Sequence, residues 1–177
     1  KKITFFYDHV FVKEPGTESA THWHQDQPYM AVDGSQFCSN WIPLDSITKS
    51  TTIEFIRGSH KWGRMLAPFD ILTDGSRHPR KVFERCPDIE AARDDYEIIS
   101  CELEPGDVMF FQALTLHQGR NNPTKRMRRR TITHRWLGDD ATFLLRDPPA
   151  EFPKYPTNLR TGEPFDNDLQ FPVVWQA

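Results

Sequence analysis

The chain has no run of about 18 consecutive apolar residues, the length a bilayer-spanning helix needs. Its first ten residues, KKITFFYDHV, lack the apolar core of a secretory leader. Cysteine is scarce: Cys38, Cys86 and Cys101 are odd in number and widely spaced. That excludes a disulfide framework and a zinc knuckle, and fits free thiols in a reducing cytoplasm. No large excess of either charge is present. A net charge of −3 draws the chain as a whole neither to nucleic acid nor to an anionic membrane. Repeats, low-complexity tracts and Ser/Gly-rich linkers are missing as well, so residues 1–177 read as one domain.

What is present belongs to a globular protein, with 37% apolar and 27% charged residues. Fourteen prolines and nine glycines, scattered along the chain, favour many short elements joined by turns. Aromatic and β-branched residues predict strands over 3–13, 36–45, 51–58 and 129–138, and two short strands around the turn EPGD within 96–112. A short helix is expected at 88–94, and the polar excursion 64–95 is expected to form part of a lid. From Asp139 onward the proline-rich tail is expected to wrap the surface in extended form. Many short strands with little helix define an all-β class, a barrel or a double-sheet jelly roll.

The stretch WHQDQPY, 23–29, sets His24 and Asp26 two positions apart. On a strand, residues i and i+2 share a face, so both side chains are expected to point inward. Two histidines and one carboxylate leave open positions on iron(II), an arrangement associated with non-haem oxygenases. The third ligand should be a distant histidine. Of seven histidines, His117 has the best context, since EPGDVMFFQALTLHQG reads as a tight turn launching an apolar strand that ends in a histidine. Downstream, the basic run Lys125, Arg126, Arg128, Arg129, Arg130 enters a strand on which Arg129, Thr131 and Thr133 share a face. An arginine entering a barrel there can hold a carboxylate by two parallel N–H···O bonds.

In this order, WHQDQPY, WIPLD, IRGSHKWG, LEPGDVMFFQALTLHQG and RRRTITHRWLGDDA resemble the phytanoyl-CoA dioxygenase family of iron(II)- and 2-oxoglutarate-dependent oxygenases. The resemblance implies a double-stranded β-helix, or jelly roll. It implies His24, Asp26 and His117 as metal ligands, and Fe(II), 2-oxoglutarate and O2 as cofactor and co-substrates. The family arginine that pairs with the distal carboxylate of 2-oxoglutarate falls on Arg129. Arg128 is the rival, because the loop after His117 is one residue longer than the usual form. Trp41 and His9 fall where family residues border the co-substrate pocket, Thr133 shares the face of Arg129, and Lys13 lies near the mouth. The GSH turn, 58–60, resembles a family signature with a structural role. The N-terminal helical part of the family is expected to be absent from this chain. KSTTIEF also stands where the family more often has a DNG type of turn.

The implied reaction is hydroxylation of a C–H bond of a small organic molecule, coupled to conversion of 2-oxoglutarate to succinate and CO2. Asp26 argues against halogenation, since halogenating relatives carry a small non-ligating residue there. Two rivals remain. One is a metal-binding jelly roll without oxygenase activity; the other is a nucleic-acid-directed demethylase that uses KRMRRR. The acidic balance argues against the second. Substrate identity, oligomeric state and whether the product is hydroxylated, desaturated or rearranged are not legible in the residues.

Overall fold

The computed structural model describes residues 1–70, 75–76, 83–146, 150–153, 157–166 and 170–177. Among these residues the strands are β1 (Lys2–Lys13), β2 (Thr21–His24), β3 (Val32–Asp33), β4 (Phe37–Pro43), β5 (Ile53–Ile56), β6 (Phe69–Asp70), β7 (Gly75–Ser76), β8 (Ile98–Ile99), β9 (Met109–Gln112), β10 (His117–Gly119), β11 (Arg129–Leu137), β12 (Thr142–Phe143) and β13 (Val173–Gln176). Short 3-10 turns at Gln27–Tyr29, Ser59–Lys61 and Glu90–Asp95 are the helical content among the described residues. The last stands where the sequence suggested a helix.

Two antiparallel sheets face each other. One runs β13-β1-β11-β4-β9 and the other β2-β10-β5-β8, with β12–β3 and β6–β7 as small extra pairs. This is the jelly roll expected from the strand pattern. Among the described residues no helix is long and apolar enough to cross a membrane.

The long strand β1 shows how local irregularity aims side chains. Up to residue 6, the even positions Thr4 and Phe6 point into the core. The register against β11 then shifts between Phe5 and Tyr7. A bulge of this kind inserts one residue and exchanges the two faces. Beyond it the odd positions His9, Phe11 and Lys13 turn toward the interior cavity, while Val10 and Val12 face outward.

Three sequence expectations change. Asp26 does not share a strand with His24: β2 ends at His24, and Asp26 opens the 3-10 turn with φ −71° and ψ −43°. His117 does not end the strand begun by the EPGD turn. That strand stops at Gln112, the chain crosses between sheets through Ala113–Leu116, and His117 opens β10. A continuous apolar run does not disclose a change of sheet, because Ala113 and Leu116 of the crossing are buried as well.

The third change concerns the tail. Phe143, Phe152, Phe165 and Phe171 are buried with Phe6 and Phe37 in the largest apolar cluster. Phe171 stacks on Phe6 at 5.7 Å, and β13 pairs with β1. The tail therefore builds core at one end of the barrel. Its prolines prevent a long ladder, yet the aromatic residues between them supply the burial. The excursion expected as a lid lies partly outside the described residues, at 71–74 and 77–82. Its described flanks contribute Leu66 and Ile89 to a second apolar cluster with Trp23, Ile56 and Leu116.

Candidate metal centre

His24 and His117 sit directly opposite each other on the neighbouring strands β2 and β10, their ring centroids 4.1 Å apart. Each ring is set by its own backbone. The Nδ1–H of His24 donates to the His22 carbonyl (2.7 Å), and that of His117 to the Thr115 carbonyl (2.8 Å). A carbonyl only accepts, so Nδ1 carries the proton in both rings and each Nε2 keeps its lone pair. Those Nε2 atoms lie 3.7 and 3.9 Å from Asp26 Oδ1. A first-row ion about 2.0–2.2 Å from each donor spans separations of that size. One ligand atom from each of the three residues falls within 4.8 Å of the others.

The turn that carries Asp26 is held by its neighbours. The Asp26 and Gln27 amides both donate to the Ala113 carbonyl, at 2.8 and 3.1 Å. Gln25 is buried facing away; its amide donates to the Leu114 carbonyl (2.9 Å), and its oxygen accepts from the Leu66 amide (2.8 Å). Gln27 donates to the Gly34 carbonyl (2.9 Å). In WHQDQPY, then, the glutamines anchor the backbone while His24 and Asp26 face the cavity. The GSH turn supports His117 from below. Gly58 takes φ +77°, which suits glycine, and the buried Ser59 Oγ accepts from the Leu116 amide (2.8 Å) while donating to the Ile56 carbonyl (2.8 Å). His60 lines a different cavity.

Both oxygens of Asp26 have protein partners. Ser39 Oγ–H donates to Oδ2 (2.6 Å), and Arg135 Nη2–H donates to Oδ1 (3.1 Å). Burial alone would raise the carboxyl pKa. The Arg135 guanidinium, the two imidazoles and the Ser39 hydroxyl, Arg135 foremost, together outweigh it and hold Asp26 well below the usual carboxylate range. Burial lowers both histidines, His117 to about 3 with the help of His24. Neutral imidazoles beside an ionised carboxylate are the protonation states a divalent metal requires.

Arg129, Trp41, His9, Thr133 and Lys13 line the same cavity as the triad. Arg129 is 7% exposed and donates to the Thr51 carbonyl. Among the described residues it meets no carboxylate, and burial lowers its pKa to about 10. Arg128 points outward and pairs with Glu14 at 2.9 Å. Asn122, buried in the loop before β11, donates to the carbonyls of Lys13, Glu14 and Met127 and so organises the longer connection. Lys13, opposite Arg129 in register, donates to the carbonyls of Ser19, Gly119 and Arg120, and burial and Arg129 lower it to about 8. Trp41 faces Thr133 across β4 and β11. The sequence reading missed Ser39 and Arg135. The signal for Arg135 was available, because it continues the inward face of Arg129, Thr131 and Thr133 on one strand.

Two facing histidines, a carboxylate and a buried arginine thus share one cavity of a jelly roll, and the first three form a donor set suited to a divalent metal. The chain belongs to the phytanoyl-CoA dioxygenase family, whose model matches residues 1–130. It is 33% identical over 104 residues to a 1-deoxypentalenic acid 11-beta-hydroxylase of Streptomyces arenae, a match covering 58% of this chain and 35% of that protein. Its fold is similar to that of the non-heme alpha-ketoglutarate-dependent epimerase SnoN from nogalamycin biosynthesis, with a TM-score of 0.69 and 20% identity over 99% of this chain and 65% of that one. A second similar fold is that of EvdO2 from Micromonospora carbonacea var. aurantiaca complexed with 2-oxoglutarate, with a TM-score of 0.59 and 23% identity over 81% of this chain and 55% of that one. The chain thus spans about a third of the curated hydroxylase and under two thirds of these two solved chains.

Proposed function

We propose that residues 1–177 form one catalytic domain of an iron(II)- and 2-oxoglutarate-dependent oxygenase that hydroxylates a C–H bond of a small organic molecule. The observation that carries this reading is one cavity holding both the His24–Asp26–His117 triad and a buried arginine without a carboxylate partner among the described residues. The donor set fits iron(II): two lone pairs from neutral imidazoles and one anionic oxygen, each oriented by hydrogen bonds. Iron bound there supplies the coupling of 2-oxoglutarate and O2 to succinate, CO2 and a hydroxylated substrate.

The side chains do the rest. His24, Asp26 and His117 hold the ion. Arg129 takes the distal carboxylate of 2-oxoglutarate by its guanidinium fork, offsetting its own burial. Trp41 walls the co-substrate, Thr133 and His9 pack beside it, and Lys13 braces the cavity rim through backbone carbonyls. Asp26 fills the position a halide would need, which favours hydroxylation over chlorination. The named hydroxylase relative supports the same outcome.

A small-molecule substrate fits better than nucleic acid. Arg128 and Arg130 of the basic run are paired to Glu14 and Asp45, so the run is partly neutralised. Three free cysteines, two with thiol pKa values raised by burial, fit a cytoplasmic setting. The test is 2-oxoglutarate turnover to succinate by the iron(II)-loaded protein, with and without candidate substrates. Wild type should turn over and His117→Ala should not; equal turnover by both would overturn the assignment.

A further inference from the structure

Asp26 presents a problem of orientation. It stands in a turn, outside both sheets, and a carboxylate has two equivalent oxygens and a free final torsion. Left alone beside a metal, it can bind through either oxygen or through both. The structure removes that freedom from across the barrel. On the five-stranded sheet, β4 and β11 are neighbours, and Ser39 and Arg135 are paired in register on them. Their side chains rise side by side and take one oxygen each: Ser39 binds Oδ2 (2.6 Å), Arg135 binds Oδ1 (3.1 Å). The third neighbouring strand, β1, contributes His9, whose Nδ1 lies 2.8 Å from Arg135 Nη1. An arginine nitrogen only donates, so His9 accepts there. Thr133 Oγ takes a further bond from the same Nη1 (3.2 Å). The guanidinium is thereby fixed by β1 and β11 before it reaches Asp26.

We propose that Arg135, with Ser39, is a positioning residue that holds Asp26 as a one-oxygen metal ligand, leaving the remaining coordination positions to the co-substrates. This rests on the metal-site reading above. Oδ1 is the oxygen that faces both Nε2 atoms. Its second lone pair goes to Arg135, and Oδ2 is turned away and occupied by Ser39. A two-oxygen chelate by Asp26 would have to turn Oδ2 toward the metal and away from Ser39. Stability alone does not account for the arrangement. A buried ion pair is often no better for stability than apolar side chains of the same volume. Arg135 also keeps its Nε buried without a hydrogen-bond partner among the described residues. It lies beyond residue 130, where the family match ends.

The experiment uses cobalt(II), whose visible spectrum reports coordination number and geometry, and 2-oxoglutarate as the added ligand. Wild type, Arg135→Met, Arg135→Lys, Ser39→Ala and His117→Ala are titrated with cobalt(II), then with 2-oxoglutarate. Fold is monitored by circular dichroism. Folded Arg135→Met should bind cobalt(II) about 10–100-fold more weakly, the range for loss of a partner behind a metal ligand. Its spectrum should differ from wild type in band intensity and position, and the further change on adding 2-oxoglutarate should be reduced. Ser39→Ala should move the spectrum in the same direction. Should Arg135→Met fail to fold, Arg135→Lys decides, since one ammonium cannot reproduce the fork between His9 and Asp26. A wild-type spectrum and affinity in whichever of the two Arg135 variants folds would overturn the proposal. If His117→Ala binds cobalt(II) as tightly as wild type, the metal-site reading itself fails, and this proposal falls with it.

Discussion

Arg129 is the residue whose surroundings ask most plainly for a ligand. A guanidinium in a cavity wall, with no carboxylate beside it among the described residues, is costly unless an anion arrives. Arg129→Ala should weaken 2-oxoglutarate binding by about 2–5 kcal/mol, the usual loss when one partner of a buried charge pair is truncated. Arg128→Ala removes an exposed pair with Glu14 and should change it by less than about 1 kcal/mol. Calorimetric titration of 2-oxoglutarate into the nickel-loaded variants separates them, and the reverse result would reassign the co-substrate arginine. Asp26→Ala should lose most metal affinity and hydroxylation together. Succinate formation equal to wild type would remove Asp26 from the ligand set.

At the scale of elements, two segments act at a distance from the cavity. The Ser59–Lys61 turn carries Ser59, which is buried and ties the Ile56 carbonyl to the Leu116 amide just before His117. Ser59→Ala leaves a buried amide unpaired and should cost about 1–3 kcal/mol in urea unfolding. The C-terminal tail is the second. Phe171 is fully buried against Phe6 and Phe165, so Phe171→Ala should cost about 3–5 kcal/mol. Val174→Ala, on the exposed face of β13, should stay within about 0.5 kcal/mol. Equal losses at the two positions would mean that the tail is surface wrapping after all.

For the whole molecule the buried histidines set a pH dependence. His117 has its pKa lowered to about 3 by burial and His24, and His24 itself is lowered. The unfolded chain takes up protons near the ordinary histidine value of about 6.5, while the folded protein does not. Below that pH the unfolded state therefore binds more protons, and the metal-free protein loses stability as pH falls from about 6.5 toward about 3. Metal binds the folded state and raises the thermal midpoint by mass action. Thermal midpoints at pH 7.5 and pH 5.5, with and without nickel(II), test both effects. The metal-free midpoint should drop at pH 5.5. At pH 7.5 nickel should raise it, and an unchanged midpoint there would count against the metal centre.

By itself the sequence determined the all-β class, the positions of most long strands, and the residue types and order His24, Asp26, His117, Arg129. Those features are local: strand periodicity, turn residues and spacing along the chain report which side chains share a face. Alternation on β11 already separated Arg129 from Arg128. Tertiary structure decided what no local pattern carries. It set His24 against His117 across two strands 93 residues apart in the chain, and it placed Asp26 in a turn. It also drew the proline-rich tail into the core through four phenylalanines. Arg135 belongs with these. Its inward face was legible, but its partners Asp26 and His9 lie 109 and 126 residues away. Contacts of that range follow from how the two sheets close on each other.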